Sequence, residues 1–229
     1  MPAADAPAAR RPAGQLMRRP LFQFWDEPAP PAEVAGLMAG WSGEPGFDYR
    51  RFDSASARAL IAAHFGTDTL AAYDRCAVPA MQADLFRYCA LLAHGGLYMD
   101  ADQERLGPLA DWLAAHAGPR GLLMQNGDNI ANGVVYVRRP GDPLLAATLR
   151  LAEANIAAAR SRCVWEVTGP GVMTLLAFLP EHRRLFEGFA VIPRAAMRGV
   201  VGFPGGLAYK NGPKDWRRFM HAPELSIYR

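Results

Sequence analysis

Residues 79–102 of this 229-residue chain have the sequence PAMQADLFRYCALLAHGGLYMDAD, which carries the strongest secondary-structure signals. Apolar side chains recur along its first part at spacings of four, three and four residues, at Met81, Leu85, Tyr88 and Leu92. This period predicts a helix over residues 79–94 with one apolar stripe. Gly95-Gly96 is expected to end the helix, as glycine commonly does. Residues 97–99 then predict a short buried strand.

Strands and helices are expected to alternate along the rest of the chain. Strands are predicted at residues 21–25, 47–52, 122–125, 133–137 and 189–192. Helices are predicted at residues 31–38, 54–65, 143–159 and 172–179. This order indicates an α/β sandwich of Rossmann type, with a mostly parallel central sheet flanked by helices. We expect residues 20–229 to form one domain, after a disordered Ala/Pro/Arg-rich leader of residues 1–19.

Composition and charge exclude several classes of protein. The chain is 51% hydrophobic and 21% charged, which is typical of a soluble globular domain. A net charge of +3 is too small to indicate a nucleic-acid partner. No apolar run approaches the ~20 residues of a membrane-spanning helix. The leader contains four arginines, which either contact acidic lipid at a membrane surface or are solvated: Arg10, Arg11, Arg18 and Arg19.

The cysteines favour a reducing compartment. Cys76, Cys89 and Cys163 are odd in number and widely spaced, so they predict neither a disulfide framework nor a zinc site. We therefore expect buried free thiols in a cytoplasmic protein.

Two carboxylates follow the predicted strand 97–99. Alternate side chains of an extended backbone share a face, so Tyr98, Asp100 and Asp102 are expected to point one way, with Ala101 leaving space between the acids. Open α/β sheets bind ligands outside the carboxyl ends of their strands. Two such acids repel each other unless a cation intervenes, and Mg²⁺ or Mn²⁺ holding a diphosphate meets that need. The alternative is a polar loop whose acids face water.

The preceding helix carries a charged pair within its apolar run. Asp84 and Arg87 stand three residues apart and therefore on one face. Either they form a structural salt bridge, or they face the same crevice as the two acids and bind the hydroxyl groups of a sugar.

These residues together resemble a known family. Residues 83–88 (ADLFRY), Leu91-Leu92 and residues 94–102 (HGGLYMDAD) resemble the DxD sugar-binding region of glycosyltransferase family 32. That family includes fungal initiating mannosyltransferases and bacterial surface-glycan enzymes, and the pattern is also similar to the catalytic domains of clostridial glucosylating toxins. Weaker similarity extends to residues 22–25, 129–137, 141–144 and 168–171, whereas the last fifty residues match less clearly.

The resemblance implies a GT-A fold, a UDP- or GDP-linked sugar donor, Mn²⁺ or Mg²⁺, and retention of anomeric configuration. It implies that Asp102 is the main metal ligand. Asp100 would contact the ribose or the donor sugar and support the metal through water. Asp84 and Arg87 would hold sugar hydroxyls. We expect front-face attack without a covalent intermediate, because no further acid stands out as a nucleophile.

Further residues have a functional and a structural interpretation. Trp25 stacks on the nucleotide base or belongs to the core, and Tyr98 lines the nucleotide pocket. Asn132 reaches the donor sugar or serves in a turn. His221 completes the metal shell, as a late histidine does in some related retaining folds, or lies at the surface. Late residues close over the diphosphate or are solvated: Lys210, Lys214, Ser226 and Tyr228.

Three functions follow from this reading. The first is transfer of a hexose from a nucleotide sugar to a glycan or another surface or secondary-metabolite acceptor. The second is an inactive relative that binds nucleotide sugar or glycan, although the four charged residues in place, Asp84, Arg87, Asp100 and Asp102, argue against it. The third is a phosphohydrolase, which the Gln103-Glu104-Arg105 sequence after the acids disfavours.

Overall fold

A computed structural model describes residues 18–222 and 224–229. The strands are β1 (Arg19–Phe24), β2 (Phe47–Phe52), β3 (Gly96–Met99), β4 (Glu104–Arg105), β5 (Gly121–Asn126), β6 (Asn129–Val137), β7 (Phe189–Pro193) and β8 (Val201–Gly202). The α-helices are α1 (Ala32–Trp41), α2 (Ser54–His64), α3 (Thr67–Arg75), α4 (Pro79–His94), α5 (Leu109–His116), α6 (Pro143–Ala157), α7 (Val164–Val167), α8 (Pro170–Phe178) and α9 (Trp216–His221). The predicted leader, with Arg10 and Arg11, lies outside the described residues up to residue 17, and β1 begins at Arg19.

Six strands form the central sheet in the order β2-β1-β3-β6-β5-β7. All neighbouring pairs are parallel except the two that involve β6, which runs antiparallel to β3 and to β5. β5 and β6 are joined by the two-residue turn Gly127-Asp128, where Gly127 has a φ of 61°. The prediction of an α/β fold with a mostly parallel central sheet and flanking helices is therefore confirmed.

Alternation along the strands divides the core between the two faces of the sheet. Phe22 and Tyr98 point to the side where α4 packs, into a cluster that also contains residues of α2, α6 and α8. Leu21 and Leu97 point to the opposite side, where α5 and Trp41 pack. The helix predicted at residues 79–94 forms over those bounds. Its side chains are buried on several sides, so it lies at the centre of the cluster that contains Phe22 and Tyr98.

The turn between α4 and β3 requires glycine. Gly95 and Gly96 have φ values of 65° and 97°. A Cβ on Gly96 would lie 2.4 Å from the backbone oxygen of Pro20 in β1. The paired glycines thus end the helix, as predicted, and also let β3 approach β1 closely enough to pair with it.

Four helices were not predicted from the sequence, namely α3, α5, α7 and α9, and neither was the short antiparallel pair of β4 and β8. The first of these buries only three side chains, and the β4–β8 pair joins residues almost one hundred positions apart. Each strand of the β4–β8 pair has only two residues, which is too short for a local period, so its formation depends on tertiary packing. β6 also begins at Asn129, earlier than the expected residue 133.

The chain ends against the beginning of α4. Ala77 donates a backbone hydrogen bond to Ile227, and Arg229 donates one to Arg75. The three cysteines are free thiols, as predicted, although Cys163 is only half-buried. Among residues 18–222 and 224–229, no helix is long and apolar enough to cross a membrane.

Candidate functional site

A cavity of about 600 Å³ opens at the carboxyl end of β3. Seven of the eight residues predicted to form the site line it: Trp25, Asp84, Arg87, Tyr98, Asp100, Asp102 and Asn132. They come from the residue after β1, from α4, from β3 with its following turn, and from β6. The structure thus brings together residues that are up to 107 positions apart in the chain.

The direction of β6 brings Asn132 to this place. Because β6 runs against β3, its beginning rather than its end meets the carboxyl end of β3. The amide of Asp100 donates a hydrogen bond of 2.9 Å to the carbonyl of Gly133. A Cβ on Gly133 would lie 2.5 Å from Oδ2 of Asp100. Glycine at this position therefore provides the space that the Asp100 carboxylate occupies.

Arg87 is the centre of a buried polar network. Its Nη1 lies 2.8 Å from Oδ1 of Asp84, and its Nη2 lies 3.0 Å from Oδ1 of Asp100. Nη2 also donates to the hydroxyl of Tyr98 at 3.2 Å, and that hydroxyl donates to Asp100 at 3.1 Å. Arg87 is only 4% exposed. Removing one partner of such a buried pair typically costs about 3–5 kcal/mol, because the other charge is left uncompensated.

Asp84 is held by two further donors. Asn132 donates through Nδ2 to Oδ1 of Asp84 at 2.9 Å, and Thr168 donates through its hydroxyl to Oδ2 at 2.8 Å. The hydroxyl of Tyr88 accepts from Asn132 and donates to the carbonyl of Thr168. The pair Asp84–Arg87 is thus a structural salt bridge that also lines the cavity beside the two acids, and binding of sugar hydroxyls by this pair stays a prediction.

Burial disfavours the ionised form of the carboxyl groups of Asp84 and Asp100. Burial raises the pKa of Asp84 to about 6, while Arg87 and the hydroxyl of Thr168 oppose that rise. Burial also raises the pKa of Asp100, which Arg87 lowers and the nearby charge of Asp102 raises further. An added cation at the cavity would stabilise the ionised form of these groups, because an opposite charge favours it.

Asp102 does not continue the strand, contrary to the expected alternation. β3 ends at Met99. The backbone amide of Gln103 donates a hydrogen bond of 3.2 Å to the carbonyl of Asp100, which closes a turn. The side chain of Ala101 packs in a small cluster with Val34 and Met38 instead of merely leaving space between the acids. Asp102 still lines the cavity, but its neighbours differ from those of Asp100.

Two residues of the C-terminal part contact Asp102. Lys210 Nζ lies 2.6 Å from Oδ2 of Asp102, and the hydroxyl of Tyr209 donates to the same oxygen at 2.8 Å. Burial, followed by the charge of Asp102, raises the pKa of Tyr209, so the phenol remains protonated at neutral pH. Both residues line the cavity.

Trp25 takes part in packing and also lines the cavity. It packs beside Ala101 and meets the ring of Tyr209 edge to face, with centroids 5.0 Å apart. It also lines the cavity, and its buried indole Nε1 has no hydrogen-bond partner among the described residues.

The structure does not bring His221 to this cavity. It is exposed at the end of α9 and lines a separate, open depression with Arg217 and Arg218. Lys214 does line the main cavity, whereas Ser226 and Tyr228 do not. Tyr228 instead donates to the carbonyl of Ser161.

The acids at the cavity fit a divalent cation only together with a ligand. Asp100 and Asp102 offer the carboxylate oxygens that Mg²⁺ and Mn²⁺ accept. Within the described part of the chain, no group of three or more His, Cys, Asp or Glu side chains is arranged to hold a metal ion. A cation here would therefore take its remaining ligands from phosphate oxygens and water, as Mg²⁺ commonly does.

Several contributors were missed or weighed as structural in the sequence. Thr168 belongs to residues 168–171 (TGPG), for which the sequence showed only a weaker similarity, yet its hydroxyl donates to Asp84. Tyr88 was assigned only to an apolar stripe. Gln23 is fully buried and donates to the carbonyl of Asp100 at 3.2 Å. The one local signal for Gln23 is that a polar residue stands inside the aromatic run LFQFW at residues 21–25.

Comparison with known proteins places the site within a recognised region. Residues 23–118 match the family model described as "Glycosyltransferase sugar-binding region containing DXD motif". The matched span includes six of the predicted site residues: Trp25, Asp84, Arg87, Tyr98, Asp100 and Asp102. The chain carries this region, so the predicted resemblance to DxD glycosyltransferases is confirmed, and it supports the prediction of a glycosyltransferase enzyme.

Curated relatives agree with that assignment. The chain is 27% identical over 158 residues to the "Initiation-specific alpha-1,6-mannosyltransferase" of Schizosaccharomyces pombe, covering 57% of this chain and 40% of the relative. It is 28% identical over 102 residues to the "Putative glycosyltransferase HOC1" of Saccharomyces cerevisiae, covering 43% and 26%. It is 31% identical over 100 residues to an "Uncharacterized glycosyltransferase L373" of Acanthamoeba polyphaga mimivirus, covering 43% and 39%.

The chain therefore spans less than half the length of these curated relatives. Among solved structures, it is similar to a "PaToxG Glycosyltransferase" with a TM-score of 0.47 and 13% identity, over 91% of this chain and 85% of the other.

Proposed function

We propose that this chain is a retaining, metal-dependent glycosyltransferase that moves a hexose from a UDP- or GDP-linked donor to a glycan or another surface or secondary-metabolite acceptor. The observation that carries the proposal is the buried network in which Arg87 joins Asp84 and Asp100 at the cavity. The members of this network lie on α4 and at the end of β3, so their polar groups are held rigidly. They stand at the carboxyl ends of the strands, where open α/β sheets bind ligands.

Asp102 and Asp100 are the proposed ligands of a Mn²⁺ or Mg²⁺ ion. Such an ion, when bound, acts as a Lewis acid that stabilises the charge of the departing nucleoside diphosphate. His221 is left out of the proposed ligand set because it lies outside the cavity. Arg87 holds Asp100 in place, and the carbonyl of Gly133 fixes the backbone there by accepting the hydrogen bond of the Asp100 amide.

The remaining predicted residues are proposed to orient the donor. Trp25 lines the cavity and is proposed to stack on the base, and its buried Nε1 has no hydrogen-bond partner among the described residues. Asn132 and Asp84 line the cavity floor and keep acceptor capacity for sugar hydroxyls. Tyr98 is nearly fully buried, so it shapes the pocket mainly by holding Asp100 and Arg87.

Retention by front-face attack remains part of the proposal. The cavity also contains Asp26, Glu27 and Asp215, acids that were not singled out as nucleophiles. The first two are paired with Lys214, and Asp215 is paired with Arg217. An ion-paired carboxylate is a poorer nucleophile, which supports attack without a covalent intermediate. Isolation of a glycosyl-enzyme labelled at any of the three by mass spectrometry would disprove it.

Donor hydrolysis tests the proposal directly. Wild type and Asp102→Asn are compared for release of UDP or GDP from nucleotide sugars with Mn²⁺ present and after chelation. We expect turnover that needs Mn²⁺ and falls at least roughly a hundredfold in Asp102→Asn, since one charged ligand is lost. Asp128→Asn, which removes an acid from the β5–β6 turn, is the control with the same charge change. Equal rates in all three proteins would contradict the metal assignment.

The donor is identified by thermal stability. A ligand that binds only the folded state raises apparent stability by about 2.7 kcal/mol at a hundred times its Kd. UDP- and GDP-linked glucose, galactose and mannose are tested with and without Mn²⁺; mannose is included because one relative is named a mannosyltransferase. A shift that requires both sugar nucleotide and Mn²⁺ supports the proposal. A shift without turnover toward any acceptor or water would instead indicate the inactive, binding relative.

A further inference from the structure

The last part of the chain crosses the mouth of the cavity. Residues 203–221, here called the C-terminal strap, follow the β4–β8 pair and end at α9. The strap contributes a third or so of the cavity lining, including Tyr209, Lys210, Lys214 and Trp216. It is held at both ends, by β8 pairing with β4 and by the hydrogen bonds between residues 75–77 and 227–229.

Charged contacts hold the middle of the strap. Glu33 of α1 accepts from the backbone amides of Ala208 and Tyr209 at 3.2 and 3.1 Å. Lys214 bridges Asp26 and Glu27 at 2.6 and 2.5 Å. No backbone strand pairing with the sheet is formed by residues 203–221. Contacts of this kind are individually weak and exchange readily for other ions.

Lys210 makes the most telling of these contacts. Its ammonium lies 2.6 Å from Oδ2 of Asp102, the carboxylate proposed as the main cation ligand. The side chains of Lys210 and Asp102 are 30% and 19% exposed, so the pair is partly withdrawn from water. The hydroxyl of Tyr209 donates to the same oxygen, which leaves that oxygen fully engaged.

We infer that Lys210 is a built-in competitor of the divalent cation for Asp102, so that cation binding displaces Lys210 and loosens the strap. The inference rests on the proposed function, because it takes Asp102 as a cation ligand. The reason is electrostatic. An ammonium and a metal ion cannot both contact one carboxylate oxygen without repelling each other, since like charges at such distances are unfavourable. The released lysine would then be available to the diphosphate, which attracts it as a point charge.

The competition has a direct readout that needs neither donor nor turnover. Free Mn²⁺ is measured by electron paramagnetic resonance during titration of the full chain. Lys210→Met keeps the length of the side chain and removes its charge. We expect this variant to bind Mn²⁺ roughly two- to fivefold more tightly than wild type, the range that a partly exposed ion pair supports.

Two further variants separate competition from general effects. Lys210→Arg keeps the charge and should bind Mn²⁺ within about twofold of wild type. Arg58→Met removes one positive charge from α2, where Arg58 pairs with Asp74 on an exposed surface, and should leave Mn²⁺ affinity unchanged. Melting curves of all variants establish that they are folded. Equal or weaker binding by Lys210→Met, or an equal gain in Arg58→Met, would overturn the inference.

Asp102→Asn distinguishes this inference from the proposed function. If Asp102→Asn loses Mn²⁺ binding while Lys210→Met matches wild type, the metal assignment stands and the competition fails. If Asp102→Asn binds as well as wild type, Asp102 is not the ligand and both fail. Hydrogen exchange gives the second readout: Mn²⁺ should accelerate exchange of the Ala208 and Tyr209 amides in wild type. Unchanged exchange with Mn²⁺ bound would contradict loosening of the strap.

Discussion

The hydroxyl of Thr168 donates a hydrogen bond of 2.8 Å to the carboxylate of Asp84, across 84 positions of the chain. Thr168 is fully buried and Asp84 is 5% exposed. This bond connects the turn before α8 to the helix that carries the charged pair. It therefore makes the TGPG segment part of the site and not merely a helix start.

Thr168→Val should destabilise the protein by about 1–3 kcal/mol, because a buried carboxylate loses a donor while the side-chain volume is kept. Urea denaturation measures the free energy of unfolding. Thr168→Ser keeps the hydroxyl and is the matched variant, with a smaller loss from the missing methyl group. If Val and Ser destabilise equally, packing and not the hydrogen bond explains the position.

Gly133→Ala should displace Asp100 and impair the site. The added Cβ would lie 2.5 Å from Oδ2 of Asp100, a distance at which one of the two groups must move. We expect donor hydrolysis to fall at least roughly tenfold, with a stability loss of about 1–3 kcal/mol from overpacking. Gly36→Ala in α1 is the control, since no atom lies within 4 Å of its added Cβ. Full activity in Gly133→Ala would show that Asp100 tolerates displacement.

Trp25→Ala should weaken the binding of free UDP or GDP by about 1–3 kcal/mol, the usual contribution of one aromatic ring stacked on a base. Isothermal titration calorimetry measures the dissociation constant. Trp112→Ala is the matched control, because Trp112 stacks on His116 in α5 and does not line the cavity. Unchanged nucleotide affinity in Trp25→Ala would assign Trp25 to packing around Ala101 alone.

The raised pKa of Asp84 predicts a stability change with pH. Between its ordinary value of 3.8 and the folded value of about 6, the folded state holds a proton that the unfolded state has lost. This contribution to stability is complete below pH 3.8 and is lost as the pH rises through 6. Wild type should therefore lose stability over this range relative to Asp84→Asn. Denaturation at each pH measures the difference between the two proteins.

Asp128→Asn is the control for the pH experiment, because Asp128 lies in the exposed turn between β5 and β6. Its pH profile should parallel that of wild type. A wild-type profile that instead runs parallel to that of Asp84→Asn would mean that Arg87 keeps Asp84 ionised throughout.

The residues of the buried network show how much of the site can be predicted from the sequence. Asp84, Arg87, Asp100 and Asp102 lie within nineteen residues, and the helical period together with closeness along the chain places them near one another, although Asp102 departs from the strand period. Asn132 was matched to the site by resemblance, but its partner Asp84 became evident only through the antiparallel direction of β6. For Ala101 and His221, by contrast, the position in the structure differs from the one expected from the sequence.

The α4–Gly-Gly–β3 unit and the acids that follow it can be predicted from the order of the amino acids, because period, glycine conformation and adjacency are local properties of the chain. Three features depend on tertiary packing: Thr168 supports Asp84, β3 gives way to a turn before Asp102, and Lys210 contacts that acid. The last contact joins residues 108 positions apart. Such pairs form when packing of the whole domain brings them together, and no local pattern records that packing.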